Sequence, residues 1–383
     1  MRRLRAKSNL VLGLLSALSL LAFIVVENSK NYVKQDWYEE KLQAAKLSYE
    51  AANCLKAYRM EEGIFIDDVN DPNQTALIGQ ESTLITTDRG NIDAKLSSTN
   101  PNFAAIIVQY LKDAGVNDGD YVALAFSGSF PALNISVIAA VEVLNLKPII
   151  ISSVGASDYG ANDPYFTWLD METVLIEENI FKFKSVAASI GGSNDVGRGL
   201  SPEGRNLIIQ SIERNHVTLI NEDNLILNID KRMQIYSDES KGNPIKAYIN
   251  VGGGIASLGH TVNSELIPSG LSKNLIMQNY PIRGAIVQMG EKGIPVIQIL
   301  NINEILKQYD MPQSPVPLPL PGEGGVFVKL KYDLLTVGVA TGILICIIIL
   351  LFVSDKRFYR IGKDAVPAQY ISENKNDDFS MEL

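Results

Sequence analysis

The stretch "YVALAFSGSFPALNISVIAAVEVLNLKPIIISS", residues 121–153, decides the fold. Its opening run, "YVALAF" (121–126), is apolar without alternation, as expected of a parallel strand covered on both faces. A helix is predicted over 131–144, with Ile135, Ile138, Ala139 and Val143 available for burial. Pro131 stands in its first turn, where a missing N–H costs little. "KPIIISS" (147–153) is the second strand, so the whole is one strand–helix–strand unit with a right-handed crossover.

The same grammar continues outward. In "SPEGRNLIIQSIERN" (201–215), Ser201 is placed to cap a helix and Pro202 to begin it; the short strand "VTLI" (217–220) follows. "KAYINVGGG" (246–254) is a strand ending in glycines, and "IPVIQIL" (294–300) is a last strand after a helix near 283–291. The expected fold is α/β: a Rossmann-like, mostly parallel sheet of four to six parallel strands with flanking helices. No internal repeat of fixed period is visible.

In an open parallel sheet, ligands bind at the carboxyl ends of the strands, where the following loops gather. The polar clusters of this chain fall there: Ser127, Gly128 and Ser129; Ser152 to Asp163; "GGSNDVGRG" (191–199); and "GGGIASLGH" (252–260). Candidate ligand-binding residues are therefore Gly128, Ser153, Asp158, Asn162, Asp163, Asp170, Asp195, Arg198 and Gly253. Several have plain structural uses as well. Gly128 permits a tight turn, Ser129 can cap the next helix, Asp163 before Pro164 can start a helix, and Thr167 with Asp170 can form an alternative capping box. Trp168 reads as core. Asp158, Asn162, Asp163, Asp170 and Glu172 also leave a paired-carboxylate role open, for acid–base work or a metal.

Asp195 and Arg198 sit among four glycines, where a solvent-screened ion pair gains little, and Arg198 could hold a carboxylate or phosphate by its planar fork. His260 follows three glycines; His216 lies at a helix end. Two histidines and one cysteine outside the apolar spans provide no zinc-ligand spacing, so no zinc site is expected and no residue is singled out as a metal ligand. Neither of the glycine-rich nucleotide motifs is present, and no cofactor is expected.

Two apolar stretches set the cellular context. Residues 10–28 follow Arg2, Arg3, Arg5 and Lys7; residues 334–353 precede Lys356, Arg357, Arg360 and Lys363. Each is long enough to cross a ~30 Å hydrocarbon layer as a helix. Positive residues on the outer flank of both spans place both termini in the cytoplasm and the intervening chain outside it. No clear small-x-small cleavage site follows Val26, so the first span is expected to stay as an anchor. The expected layout is a cytoplasmic N-terminus (1–9), a span (10–28), a stalk helix (29–60), an extracytoplasmic α/β domain (61–310), a Pro/Gly-rich linker (311–333), a second span (334–353) and a cytoplasmic tail (354–383). Cys54 and Cys346 fall in different media and cannot pair, leaving the outer domain to its core. A net charge of −9 argues against a broad nucleic-acid surface.

The strings "SGSFPALNISVIAAVEVLNLKPIIISSVGASDYGANDPYFTWLDME" (127–172) and "SVAASIGGSNDVGRGLSPEGR" (185–205) resemble the central part of the bacterial poly-gamma-glutamate system protein family. The resemblance covers about residues 120–255, and the two-anchor layout agrees with it. It implies an accessory component, in the bacterial cytoplasmic membrane, of the synthesis, export or anchoring of poly-gamma-glutamate, alongside a cytoplasmic ATP-dependent ligase and the synthase's membrane subunits. It supplies no catalytic residues. A polyanion would meet an acidic domain, so contact must be local, through residues such as Arg198 and Arg205.

Two functions follow as expectations. One is a membrane-anchored accessory protein whose outer domain binds polymer, another anionic ligand or partner subunits. The other is a hydrolase or transferase acting on gamma-glutamyl amides, with Ser127 or Ser129 as nucleophile, His260 as base and Asp158 or Asp163 to orient it.

Overall fold

The computed structural model of the protein describes residues 9–364. Arg2, Arg3, Arg5 and Lys7, on which half of the orientation argument rests, lie outside the described residues, as does the tail from 365 onward. The chain forms two compact units: Lys34–Val328, and the flanking segments that carry the long apolar helices.

The first unit is built on a seven-stranded sheet. Its strands are β1 (Tyr121–Ser127), β2 (Lys147–Ser153), β3 (Ala187–Ser189), β4 (Thr218–Ile220), β5 (Ile245–Val251), β6 (Gly270–Ser272) and β7 (Val296–Ile299), in the order β6-β7-β5-β1-β2-β3-β4. Every neighbouring pair is parallel except β6 with β7, an antiparallel edge. The expected mostly parallel α/β sheet is thus present, with six parallel strands. From β1 the chain winds one way to β4, then returns to place β5 on the other side of β1. That reversal makes the carboxyl ends of β1 and β5 the switch point of the sheet.

Both faces are covered, which is why β1 carries no polar alternation. Val122, Leu124 and Phe126 enter one core; Ala123 and Ala125 enter the other. The first core is closed by helices α1 (Tyr38–Glu61), α3 (Phe103–Asp113), α4 (Pro131–Val143), α5 (Trp168–Glu177) and α6 (Pro202–Arg214). The second is closed by α7 (Leu225–Glu239) and α8 (Ala285–Glu291). A short helix, α2 (Ile92–Ser98), precedes α3.

Most of the stalk expected over 29–60 and of the linker expected over 311–333 belongs to this unit. Over 29–60 the helix begins only at Tyr38, and α1 buries Ala44, Ala45, Ala51 and Leu55 against α3 and α4, so it is part of the core. The Pro-rich segment is pinned to the domain by its backbone: Asn102 Nδ2 donates to the Leu320 carbonyl at 2.9 Å and Asn73 Nδ2 to that of Pro315 at 2.8 Å. The Leu320 carbonyl also accepts the Glu323 N–H of its own segment at 3.1 Å. At the ends of the unit, Gln35 N–H donates to the Phe327 carbonyl at 2.8 Å.

In the other unit, Asn9–Glu27 and Leu334–Val353 are helices long and apolar enough to cross a membrane, and they contact one another. Strands Lys30–Lys34 and Val328–Tyr332 form a two-stranded sheet.

Candidate functional site

The polar turns that leave the parallel strands line one cavity of about 610 Å³, reached by Ser127 and Ser129 after β1, Ser153 and Ser157 after β2, Gly192 to Asn194 after β3, and Gly253 to His260 after β5. Segment 87–91 and α2 form the remaining wall. The close approach of β1 and β5 requires glycine after β5. Gly252 has φ +82°, and a Cβ there would stand 2.6 Å from Ser127 Oγ.

Lys95 is the buried charge of this cavity, only 2% exposed. It projects from α2, which Asn91 caps by accepting the Ala94 N–H at 2.9 Å. Its Nζ donates to the Ser129 carbonyl and, at 2.8 Å, to Ser157 Oγ, and it stands 4.1 Å from the centre of the Phe130 ring. Burial pushes its pKa down to about 7, against a partial offset from Asp158. Among the described residues no carboxylate lies within 4 Å of Nζ.

The serines form a chain around it. Ser129 N–H donates to Ser127 Oγ at 3.2 Å, and Ser157 N–H donates to Ser129 Oγ at 3.0 Å. Each hydroxyl oxygen is thereby oriented as an acceptor and keeps its own proton to donate. His260 also lines the cavity, its Nδ1 accepting the Val262 N–H at 3.2 Å. In the neutral ring that assignment leaves Nε2 as a donor, which is the wrong form for a base. Among the described residues no hydrogen bond joins His260 to Ser127 or Ser129.

Beneath the cavity Ser153 is held from below. Its hydroxyl donates to Asp195 Oδ1 at 3.1 Å and accepts from Arg232 Nη2 at 2.9 Å. Asp195 and Arg232 are an ion pair at 3.0 Å, 0% and 2% exposed. The charged partner of Asp195 is thus Arg232 of α7, not its loop neighbour Arg198, which is exposed and does not line the cavity. Such a buried pair adds little net stability, but losing one member leaves an unpaired charge, so it fixes the floor.

The remaining candidates serve the scaffold around the cavity. Gly128 is a close-contact position, since a Cβ there would meet the Val154 carbonyl at 2.4 Å. Asn162 is buried and pins the segment before the cavity wall, accepting from Gln80 N–H and donating to the Gln80 carbonyl at 2.7 Å. Asp163 accepts from Tyr165 N–H at 2.9 Å in a tight turn, and of the two helix starts that the sequence offers the later is used, α5 beginning at Trp168 after Thr167. The reason is the capping box of Thr167 and Asp170, whose carboxylate also pairs with Arg214 at 2.6 Å. Asp158 receives the Gly90 N–H at 3.2 Å and faces a separate surface hollow with Arg89. Gly253 lines the cavity at a roomier point, where a Cβ would find its nearest neighbour, Leu300 Cδ1, at 4.0 Å. Trp168 is core, packed edge-on to Phe126. Among the described residues no cluster of three metal-ligating side chains exists.

The arrangement offers an anionic or carbonyl ligand one buried amine, several hydroxyl donors and glycine backbone at close range. No family model, curated protein or solved structure matches the chain.

Proposed function

We propose that the unit Lys34–Val328 lies outside the cytoplasm of a bacterial cell, anchored by both apolar helices, and binds a carboxylate-bearing ligand in the cavity. The ligand class is gamma-linked glutamate, and the protein is an accessory component of poly-gamma-glutamate synthesis, export or anchoring. The observation that carries this reading is Lys95: a buried amine facing serine hydroxyls, with no carboxylate among the described residues paired to it, at the switch point of the sheet. In an acidic chain this provides the local positive site that a polyanion needs. Support for the topology comes from two spans with basic residues on their outer flanks. The resemblance of residues 127–172 and 185–205 supplies the polymer and the synthase membrane subunits as partners.

The test is calorimetry of the full chain in detergent against gamma-glutamyl oligomers at pH 6.5. Saturable binding is expected, weakened at least tenfold in Lys95→Met and by raising the pH to 8.5, where the amine is neutral. Absence of heat with the wild-type chain at oligomer lengths up to ten would overturn the reading.

A further inference from the structure

We propose that Lys95 and Ser157 form a serine–lysine pair that transfers acyl groups at this cavity, with Ser157 Oγ as nucleophile and Lys95 Nζ as its base. The geometry is that of a poised pair: Nζ to Oγ is 2.8 Å, the lysine is buried, and the serine is half-buried and lines the cavity. Both members are fixed from more than one side. Lys95 Nζ also donates to the Ser129 carbonyl. The Ser157 N–H is held by Ser129 Oγ, and its carbonyl accepts from Gly160 N–H at 3.0 Å. Ser157 also belongs to the strand Ala156–Ser157, which pairs with Thr86–Asp88. The backbone on either side of the Ser157 hydroxyl is thereby held, and moving Nζ away from Oγ breaks its bond to the Ser129 carbonyl as well.

The chemistry balances without any further reagent. Neutral Nζ takes the hydroxyl proton as Oγ bonds to the carbonyl carbon of an amide. The ammonium then gives that proton to the leaving nitrogen as the C–N bond breaks, leaving an ester on Ser157. Water or an incoming amine attacks the ester carbon, its proton passes to Nζ, and the proton returns to Oγ as the C–O bond breaks. The hydroxyl protons of Ser127 and Ser129 are donors for the oxygen that becomes negative. The displaced pKa of Lys95, about 7, supplies the neutral amine near neutrality. The titratable and charged groups around it are Asp158, which raises its pKa, and Asp88, Arg89 and His260, which line the cavity. This pair differs from a Ser–His arrangement, because His260 makes no hydrogen bond to a cavity serine among the described residues.

The choice of a gamma-glutamyl amide as acyl donor rests on the proposed function; the pair itself does not. The full chain in detergent is treated with a fluorophosphonate probe and read by mass spectrometry. A single adduct on Ser157 is expected, forming about tenfold faster at pH 8 than at pH 6. It should be absent in Ser157→Ala and at least 100-fold slower in Lys95→Met. Variants are compared after a melting curve shows wild-type folding; if Lys95→Met fails that check, Lys95→Arg, which stays charged at pH 8, replaces it. No adduct on the wild-type chain, an adduct persisting in Ser157→Ala, or an unchanged rate without Lys95 would each overturn the proposal. Release of nitroaniline from gamma-glutamyl p-nitroanilide then separates the two ideas. Labelling without release upholds the pair and removes the glutamyl donor, whereas oligomer binding without labelling upholds the ligand and removes the pair.

Discussion

Glu172 in α5 has its carboxyl enclosed by protein, accepting the Ser185 N–H and hydroxyl at 3.0 Å each, and burial raises its pKa to about 7. Between its ordinary value and pH 7 the folded chain holds a proton that the unfolded chain has released, so this group makes stability fall as pH rises across that window. Lys95 acts the other way: its folded pKa lies below the unfolded one, so its penalty is relieved as pH climbs from about 7 towards 10.5. Glu172→Gln is expected to flatten the acid-side slope and add about 1–3 kcal/mol at pH 8, measured by urea unfolding at several pH values. The two residues of the proposed pair differ in legibility. Ser157 stands in the polar stretch that the sequence marks as a ligand loop. Lys95 stands in "IDAKLSS", where a lysine among polar residues reads as a solvent-facing helix position. Only the tertiary packing of α2 against the turn after β1 turns it inward, and no local spacing signals that.

At the scale of elements, legibility follows the strength of local punctuation. Ser201-Pro202 marks the start of α6, and the Ser201 hydroxyl accepts the Gly204 N–H at 3.0 Å as its cap. Ser201→Ala is expected to cost about 1 kcal/mol in thermal unfolding, with cavity binding unchanged. The unit from β1 to β2 is readable because a doubly covered strand must be apolar throughout. In contrast, β3 is only Ala187, Ala188 and Ser189, small residues with no period, and it is a strand because β2 and β4 pair with it on either side. Asp163-Pro164 offers a helix start that loses to the capping box at Thr167 and Asp170, four residues on. Reciprocal capping satisfies two backbone donors where a single aspartate satisfies one.

For the whole molecule, composition and the two spans foretell a large α/β core between apolar helices, but not the order of strands, which depends on contacts far apart in sequence. The reversal that puts β5 beside β1 is what brings Gly253 to the rim that carries Ser127, and it is invisible in any local window. Because Lys34–Val328 is one compact unit with its own two cores, that fragment is expected to fold without the apolar helices. A single cooperative melting transition, seen alike by circular dichroism and by tyrosine and tryptophan fluorescence, checks this; a broad or probe-dependent transition would show that the helices are needed. The bond between Gln35 and Phe327 adds a mechanical property. Since the chain enters and leaves the unit at adjacent rungs, tension pulling those two segments apart loads the ladder from its open end, one rung at a time. Moderate stretching is therefore expected to open this entrance before it disturbs the cavity.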